Sequence, residues 1–184
     1  MPERGLLRGA GKAVSFGIFA ATAFNMKHTH TVNYEIIGHY SELSQIEQEL
    51  VARAYEAAEN AYAPYSNFKV GASLLLEDET VITGNNQENI AYPSGLCAER
   101  VALFYAGANH SGQELKTLVV VAKGTLVKPD DCISPCGSCR QVMAQSEYRQ
   151  ERPIRLLLVA QTGKTFIFDK VSDLLVFPFG MDEL

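Results

Sequence analysis

The sequence has no apolar run long enough to cross a membrane, because none of its stretches reaches the roughly 20 residues that span a bilayer. It has only four cysteines, and they form no paired framework of the kind found in secreted disulfide scaffolds. Internal repeats and low-complexity tracts are also absent. These absences favour one cytoplasmic domain without a membrane partner, in a compartment that keeps thiols reduced.

Positive charge is scarce over most of the chain. Residues 1–30 hold four basic residues and one acidic residue, whereas the remaining 154 residues hold 12 basic and 20 acidic ones. Such an acidic body does not suit the phosphate backbone of DNA or RNA. We therefore expect no nucleic-acid partner, and a small neutral ligand fits the charge better.

The N-terminus differs in character from the rest of the chain. Basic residues precede an apolar run from Ala13 to Phe24, which has the form of a short secretory signal. The run is interrupted by Gly17, and Met26 offers a second start. We interpret residues 1–40 as a poorly ordered N-terminal extension, with a mistaken start ranked second and secretion third. Residues 41–184 are then a single domain.

Hydrophobic periodicity predicts an α/β fold. Ser44 and Glu47 match a capping box, so a helix is expected to run from there to Ala61 and to stop before Pro64. The buried side of this helix is predicted to carry Ile46, Leu50, Val51, Ala54, Tyr55, Ala58 and Tyr62.

Further helices are predicted at 98–108 and 138–148, with a short one near 172–175, and strands at 70–76, 81–84, 118–122, 156–160 and 165–168. The runs at 118–122 and 156–160 are fully apolar, as central strands are. The alternation indicates a three-layer α/β/α sandwich around a mixed sheet of about five strands.

Three cysteines and one glutamate carry the chemical information. Cys97 lies two residues before Glu99, and Cys136 and Cys139 form a Cys-x-x-Cys pair after a gap that fits one strand. Thiolates are suitable ligands for a tetrahedral zinc ion, and three of them leave one position for water. Because each cysteine group is predicted to begin a helix, the fold can bring both helix N-termini to one zinc site, where their partial positive charge favours thiolate.

Four segments of the chain resemble zinc-dependent cytidine deaminases of the small, homotetrameric type. In chain order they are APYSNFKVGA (residues 63–72), GNNQEN (84–89), CAER (97–100) and PCGSCRQ (135–141). The resemblance extends from about Leu43 to the C-terminus. It implies a cytidine-deaminase-like fold with one zinc ion per chain. It also implies hydrolysis of cytidine and deoxycytidine to uridine and deoxyuridine, without indicating which is preferred.

The resemblance also implies roles for individual residues. Glu99 is expected to move a proton from the zinc-activated water to ring nitrogen 3 and then to the departing amine. Arg100 is expected to hydrogen-bond the ligand sulfurs, with Arg140 as a second candidate. The remaining expected contacts to substrate are Asn86 and Glu88 on the ribose, Phe68 on the pyrimidine, Ala98, and Tyr65 and Tyr92, which either line the pocket or pack structurally.

The apolar chain end suggests an assembly. Residues 174–180 are more apolar than a free terminus should be, and in the resembled family the phenylalanine that matches Phe179 reaches a neighbouring subunit's pocket. We therefore expect a homotetramer with shared active sites. The alternative is that this segment covers its own subunit's core.

Two other functions remain open from the sequence. Related deaminases act on other aminopyrimidines, including blasticidin S. A fourth cysteine, Cys132, could complete a closed Cys₄ site with Cys97, Cys136 and Cys139, which would make the chain a zinc-stabilised module rather than an enzyme. Cys132 is otherwise interpreted as a small buried apolar residue.

Overall fold

The computed structural model describes residues 27–180, and the interpretations of residues 1–26 lie outside them. Within the described residues, the strands and helices are β1 (Glu35–Ile37), α1 (Gln45–Glu59), β2 (Lys69–Leu76), β3 (Val81–Asn85), α2 (Ala98–Asn109), β4 (Leu115–Lys123), α3 (Gly137–Gln150), β5 (Arg155–Val159) and β6 (Thr165–Phe168). Single 3₁₀ turns lie at Tyr40–Glu42, Tyr92–Ser94 and Val171–Leu174. No helix in the described range is both long enough and apolar enough to cross a membrane.

The described strands form one mixed, six-stranded sheet in the order β1-β6-β5-β4-β2-β3. β4 and β5 are parallel and are connected through α3, and every other neighbouring pair is antiparallel. The predicted mixed sheet is therefore confirmed, with one strand more than expected. The additional strand is β1, which pairs with β6 at an edge of the sheet and begins before residue 41, the expected start of the domain.

The sheet separates two apolar cores, as a three-layer sandwich requires. In β4, Leu118 and Val120 face a core shared with α2 and α3, whereas Val119 and Val121 face a core shared with α1. All four side chains are buried, because a central strand with helices on both sides has no solvent-facing surface. The prediction of a central strand is thereby confirmed.

Two glycines set how closely the helices approach the sheet. A Cβ added at Gly71 of β2 would lie 1.9 Å from the backbone oxygen of Ala54 in α1. A Cβ added at Gly84 of β3 would lie 2.4 Å from the backbone oxygen of Ala98 and 2.7 Å from the backbone nitrogen of Ala102. The first turn of α2 therefore rests directly on the backbone of β3.

Two positions predicted on the buried side of α1 are exposed. Tyr62 is exposed because α1 ends at Glu59 and Tyr62 lies beyond it. Ile46 is exposed in the first turn, whereas Leu43, just before the helix, is buried in the core at this end. The other positions follow the prediction, with Leu50, Val51, Ala54 and Ala58 buried and Tyr55 partly buried.

Candidate metal centre and active site

Two helix N-termini bring three cysteines together. Cys97 is the N-cap of α2, Cys136 is the N-cap of α3, and Cys139 lies in the first turn of α3. The Sγ atoms of Cys97 and Cys136 are 3.9 Å apart, those of Cys136 and Cys139 are 3.5 Å apart, and all three lie within 4.8 Å of one another. Cys97 and Cys136 are 39 residues apart in the chain and meet because α2 and α3 pack against the same face of the sheet.

The cluster has the dimensions of a tetrahedral zinc site. Thiolates that bind zinc at about 2.3 Å in a tetrahedron lie about 3.8 Å from one another, close to the two sulfur distances observed. Arg100 Nη2 lies 3.8 Å from Cys97 Sγ, and Arg100 Nε is buried without a hydrogen-bond partner among the described residues. A guanidinium directed at thiolates offsets the net negative charge of a three-thiolate zinc site, so the donor set fits this metal.

Cys97 and Cys139 affect each other's ionisation. Hydrogen bonds from Cys139 and Arg100 stabilise the Cys97 thiolate and lower the pKa of Cys97 to about 5, although burial opposes this shift. The same hydrogen bond, together with burial, raises the pKa of Cys139. The site thus favours a thiolate at Cys97, the ionisation state that a metal ligand needs.

Glu99 lies in the first turn of α2, beside the cysteines, and only 4% of its surface is exposed. Burial raises the pKa of Glu99 to about 7, and the neighbouring Cys97 charge contributes in the same direction. A carboxyl group with a pKa near neutrality can both accept and release a proton at physiological pH. Its position and its pKa therefore suit a proton carrier at this site.

Cys132 does not belong to the metal cluster found in residues 27–180, which contains the other three cysteines. Its side chain is half-buried against the core beneath α2 and α3, and this burial raises the pKa of Cys132. This arrangement does not support a closed Cys₄ site.

The guanidinium of Arg140 hydrogen-bonds oxygen atoms rather than the clustered sulfurs. Its guanidinium donates to the Pro135 oxygen at 2.8 Å, to Ser134 Oγ at 2.7 Å and to the Leu174 oxygen at 3.2 Å. Arg140 therefore connects the loop before α3 to the 3₁₀ turn at Val171–Leu174, whereas Arg100 Nη2 lies near Cys97 Sγ.

The two residues expected at the ribose are hydrogen-bonded to residues 65–70, which lead into β2. The Asn86 side chain accepts from the Val70 nitrogen at 2.7 Å and donates to the Phe68 oxygen at 2.9 Å. The Glu88 carboxylate accepts from the Tyr65 nitrogen at 2.9 Å and from both the nitrogen and the hydroxyl of Ser66. These contacts hold the segment of the expected pyrimidine contact, Phe68, against the end of β3.

The other expected contacts differ in exposure. Ala98 is fully buried behind the cysteines, and Phe68 is partly buried with its ring edge against Gly124. By contrast, Tyr65, Tyr92 and Phe179 are 52%, 84% and 86% exposed. A groove of about 830 Å³ between α2 and α3 is not lined by any of the three cysteines or by Glu99. A single chain thus leaves the aromatic part of the expected site uncovered.

Sequence reasoning missed two residues that organise this region. Ser66 bonds Glu88, and Gln141 accepts from the Phe179 nitrogen at 2.9 Å and donates to its oxygen at 3.3 Å. Both lie inside the matched segments, Ser66 between Tyr65 and Phe68 and Gln141 two residues after Cys139. Their partners are 22 and 38 residues away, so no local pattern indicated these contacts.

The chain is similar to known deaminases in sequence and in structure. Residues 44–151 match the family model described as the cytidine and deoxycytidylate deaminase zinc-binding region. A cytidine deaminase of Sporosarcina psychrophila is 46% identical over 98 residues, which cover 53% of this chain and 68% of that protein. A cytidine deaminase of Mycobacterium tuberculosis is 35% identical over 138 residues, which cover 73% of this chain and 90% of that protein.

A crystal structure of cytidine deaminase from Burkholderia pseudomallei has the same fold. It superposes with a TM-score of 0.62 at 38% sequence identity, and the match covers 72% of this chain and 98% of that one.

Proposed function

Because the chain belongs to the cytidine and deoxycytidylate deaminase family, we propose that it hydrolyses cytidine and deoxycytidine to uridine and deoxyuridine with release of ammonia. The observation that carries the proposal is the buried Glu99 beside three clustered thiols at two helix N-termini. A structural zinc site does not need such a carboxyl group, whereas hydrolysis by a zinc-activated water does. The enzyme is then one of pyrimidine salvage.

Cys97, Cys136 and Cys139 are the proposed zinc ligands, at one ion per chain. When bound, zinc supplies a Lewis acid that lowers the pKa of a water molecule and so makes it a nucleophile at neutral pH. The Arg100 guanidinium, 3.8 Å from Cys97 Sγ, offsets the charge of the three thiolates. Because three unpaired thiols must stay reduced, we place the protein in the cytoplasm.

Glu99 carries the proton through the reaction. It accepts a proton from the attacking water and delivers it to ring nitrogen 3, which makes ring carbon 4 electrophilic. The oxygen of the water bonds to ring carbon 4, and Glu99 then takes the remaining proton from that oxygen and passes it to the exocyclic amine. The bond from carbon 4 to nitrogen breaks, ammonia leaves, the carbonyl group of uridine forms and the Glu99 carboxylate is restored. The burial of Glu99 matters because it keeps the pKa of the group close to the pH at which both transfers occur.

The substrate is positioned by the residues around the end of β3. Asn86 and Glu88 hold the ribose hydroxyls, Phe68 packs on the pyrimidine, and Ala98, Tyr65 and Tyr92 line the pocket. The ionised Glu88 carboxylate disfavours an additional negative charge near the sugar, so a free nucleoside fits better than a nucleotide. The nucleoside is thereby held with its amine directed towards the cysteines.

The exposed aromatic side chains support a homotetramer with shared sites. Phe177 and Phe179 are 89% and 86% exposed, although Gln141 holds the Phe179 backbone on α3. Large aromatic side chains on an anchored backbone fit a surface that another chain covers. Phe179 then completes the pyrimidine site of a neighbouring subunit.

A spectrophotometric assay with parallel substrates tests the function. Cytidine and deoxycytidine should be converted with release of ammonia, whereas free cytosine, which lacks the sugar that Asn86 and Glu88 bind, should react poorly. Blasticidin S is included because related deaminases act on it. Turnover of blasticidin S without turnover of either nucleoside would replace the proposed substrate class.

A further inference from the structure

The hydroxyl of Ser66 joins two parts of the expected substrate site. Ser66 Oγ donates to Glu88 Oε1 and accepts from the backbone nitrogen of Phe68 at 3.0 Å. The sugar contact and the base contact are therefore connected through one oxygen atom. Ser66 is partly buried and lies 22 residues before Glu88 in the chain.

The carboxylate of Glu88 is held on both of its oxygens. While Oε1 accepts from the Ser66 hydroxyl, Oε2 accepts from the backbone nitrogens of Tyr65 at 2.9 Å and Ser66 at 3.3 Å. Among these donors, the Ser66 hydroxyl contributes most to the lowered pKa of Glu88. An ionised carboxylate accepts at about four lone-pair positions, so it retains capacity for the hydroxyl groups of a sugar.

The segment between the two contacts has little freedom. Asn67 adopts a left-handed conformation with φ of 53°, and its nitrogen donates to the Ala63 oxygen at 3.0 Å. The Phe68 oxygen accepts from Asn86, so the Phe68 backbone is held at its nitrogen by Ser66 and at its oxygen by Asn86. Of these side chains, Ser66 is the one that bonds both Glu88 and Phe68.

We propose that Ser66 is a positioning residue that fixes the Glu88 carboxylate relative to the Phe68 ring and so sets the enzyme's discrimination in favour of nucleosides with sugar hydroxyls. This inference rests on the proposed function. Without the hydroxyl, Glu88 Oε1 loses a charge-assisted hydrogen bond, and the carboxylate can turn about its remaining contacts. The energy lost is then specific to substrates whose hydroxyls Glu88 binds.

The test compares two ligands in two variants. Ser66→Ala removes the hydroxyl, and Ser66→Thr keeps it. For each protein, kcat and KM are measured with cytidine, and the inhibition constant of 2′,3′-dideoxycytidine, which lacks both sugar hydroxyls, is measured against cytidine. The inhibition constant reports binding whether or not the dideoxynucleoside is converted.

We expect Ser66→Ala to lower kcat/KM for cytidine about tenfold or more, the effect of losing a hydrogen bond to a charged group, mainly through KM. The inhibition constant of 2′,3′-dideoxycytidine should change less than twofold, and Ser66→Thr should restore the cytidine values. Zinc content should be unchanged in both variants. If Ser66→Ala does not fold, Ser66→Cys, whose thiol is a weaker donor, gives the same comparison.

The outcomes that overturn the inference differ from those that overturn the function. Equal losses of affinity for cytidine and 2′,3′-dideoxycytidine mean that Ser66 only stabilises the turn, and unchanged kinetics with cytidine mean that it has no role in positioning. Both results leave deamination by the unsubstituted protein intact. Absence of cytidine deamination by the zinc-loaded unsubstituted protein would instead refute the proposed function.

Discussion

Glu99 is buried and lies beside three thiols, and we expect it to transfer protons during the reaction. Glu99→Gln keeps the shape of the side chain but cannot carry a proton. We expect the variant to bind zinc and to fold normally, while kcat falls by a factor of about 10³ or more, which corresponds to about 4 kcal/mol of transition-state stabilisation. Single-turnover kinetics with cytidine measure the rate, and metal analysis of the same sample measures the zinc content.

A matched control for this substitution is Glu49→Gln, which changes an exposed glutamate in α1, on the opposite face of the sheet. It should leave turnover unchanged. Near-normal turnover in fully zinc-loaded Glu99→Gln would remove Glu99 from the mechanism.

Cys132 and Cys136 differ in their expected relation to the metal. Cys136 belongs to the sulfur cluster, whereas Cys132 packs against the core. Cys132→Ser should therefore retain one zinc per chain together with full activity, and Cys136→Ser should lose most of its zinc. Metal analysis after dialysis against a chelator compares the two variants. Release of zinc by Cys132→Ser would instead support a closed Cys₄ site in which Cys132 is the fourth ligand.

At the scale of elements, the position of α2 depends on the absence of a side chain at Gly84. A Cβ there would lie 2.4 Å from a backbone oxygen of α2 and 2.7 Å from a backbone nitrogen, neither of which can rotate away. Gly84→Ala should therefore shift the helix that carries Cys97 and Glu99. We expect the free energy of unfolding to fall by about 1–3 kcal/mol, and zinc to be removed more easily by a chelator.

Gly107 provides the control within the same helix, because a Cβ added there meets nothing within 4 Å. Gly107→Ala should raise the free energy of unfolding by about 0.5–1 kcal/mol. Thermal melts and chelator titrations of both variants give the comparison. Similar zinc retention in both would show that β3 does not determine the position of α2.

The start of α1 is connected to β5 through Glu47. The carboxylate of Glu47 accepts from the Ser44 nitrogen at 3.1 Å and from Arg155 Nε at 2.9 Å. Although burial alone raises the pKa of Glu47, the hydrogen bonds from Ser44 and Arg155 outweigh it and lower the pKa below its usual 4.5. A carboxyl group whose pKa is lower in the folded state stabilises the fold at pH values above its unfolded-state pKa. This stabilisation is lost as the pH falls through the folded-state pKa.

The comparison with Glu47→Gln isolates this contribution, because other acid-sensitive groups, including the thiols, are common to both proteins. The Tm difference between the original protein and Glu47→Gln should be constant from pH 7 to about pH 5 and should shrink below that. A difference that stays constant down to pH 3 would exclude a role for the ionised carboxylate. The melts are recorded by circular dichroism at each pH.

For the whole molecule, the exposed Phe179 ring is the feature that a single chain does not explain. If Phe179 acts in a neighbouring subunit, a pocket needs Glu99 from one chain and Phe179 from another. We expect Phe179→Ala and Glu99→Gln to be nearly inactive separately and to recover activity when mixed and reassembled. With equal mixing, about one quarter of the pockets receive both residues.

Differently tagged chains and native mass spectrometry verify that hybrid tetramers form. Reassembled mixtures of each variant with itself serve as controls and should stay inactive. Hybrid tetramers without recovered activity would mean that Phe179 does not act in the pocket of a neighbouring subunit.

The sequence alone determined those parts of the protein that depend on local chemistry. The apolar runs of β4 and β5 predict central strands because only a strand covered on both faces needs consecutive apolar residues. The capping pair Ser44 and Glu47 predicts the start of α1. The clustering of Cys97, Cys136 and Cys139 also follows, since three thiols placed at helix starts on one face of a sheet converge.

Only the tertiary structure decided how the remaining parts are connected. The contacts of Ser66 with Glu88 and of Gln141 with Phe179 join residues that are 22 and 38 positions apart. Ile46 is exposed while Leu43 is buried at the same end of α1, and the close approach at Gly84 depends on where α2 lies on β3. Sequence patterns report the periodicity of single elements, whereas these contacts arise from the packing of one element on another, which no single segment encodes.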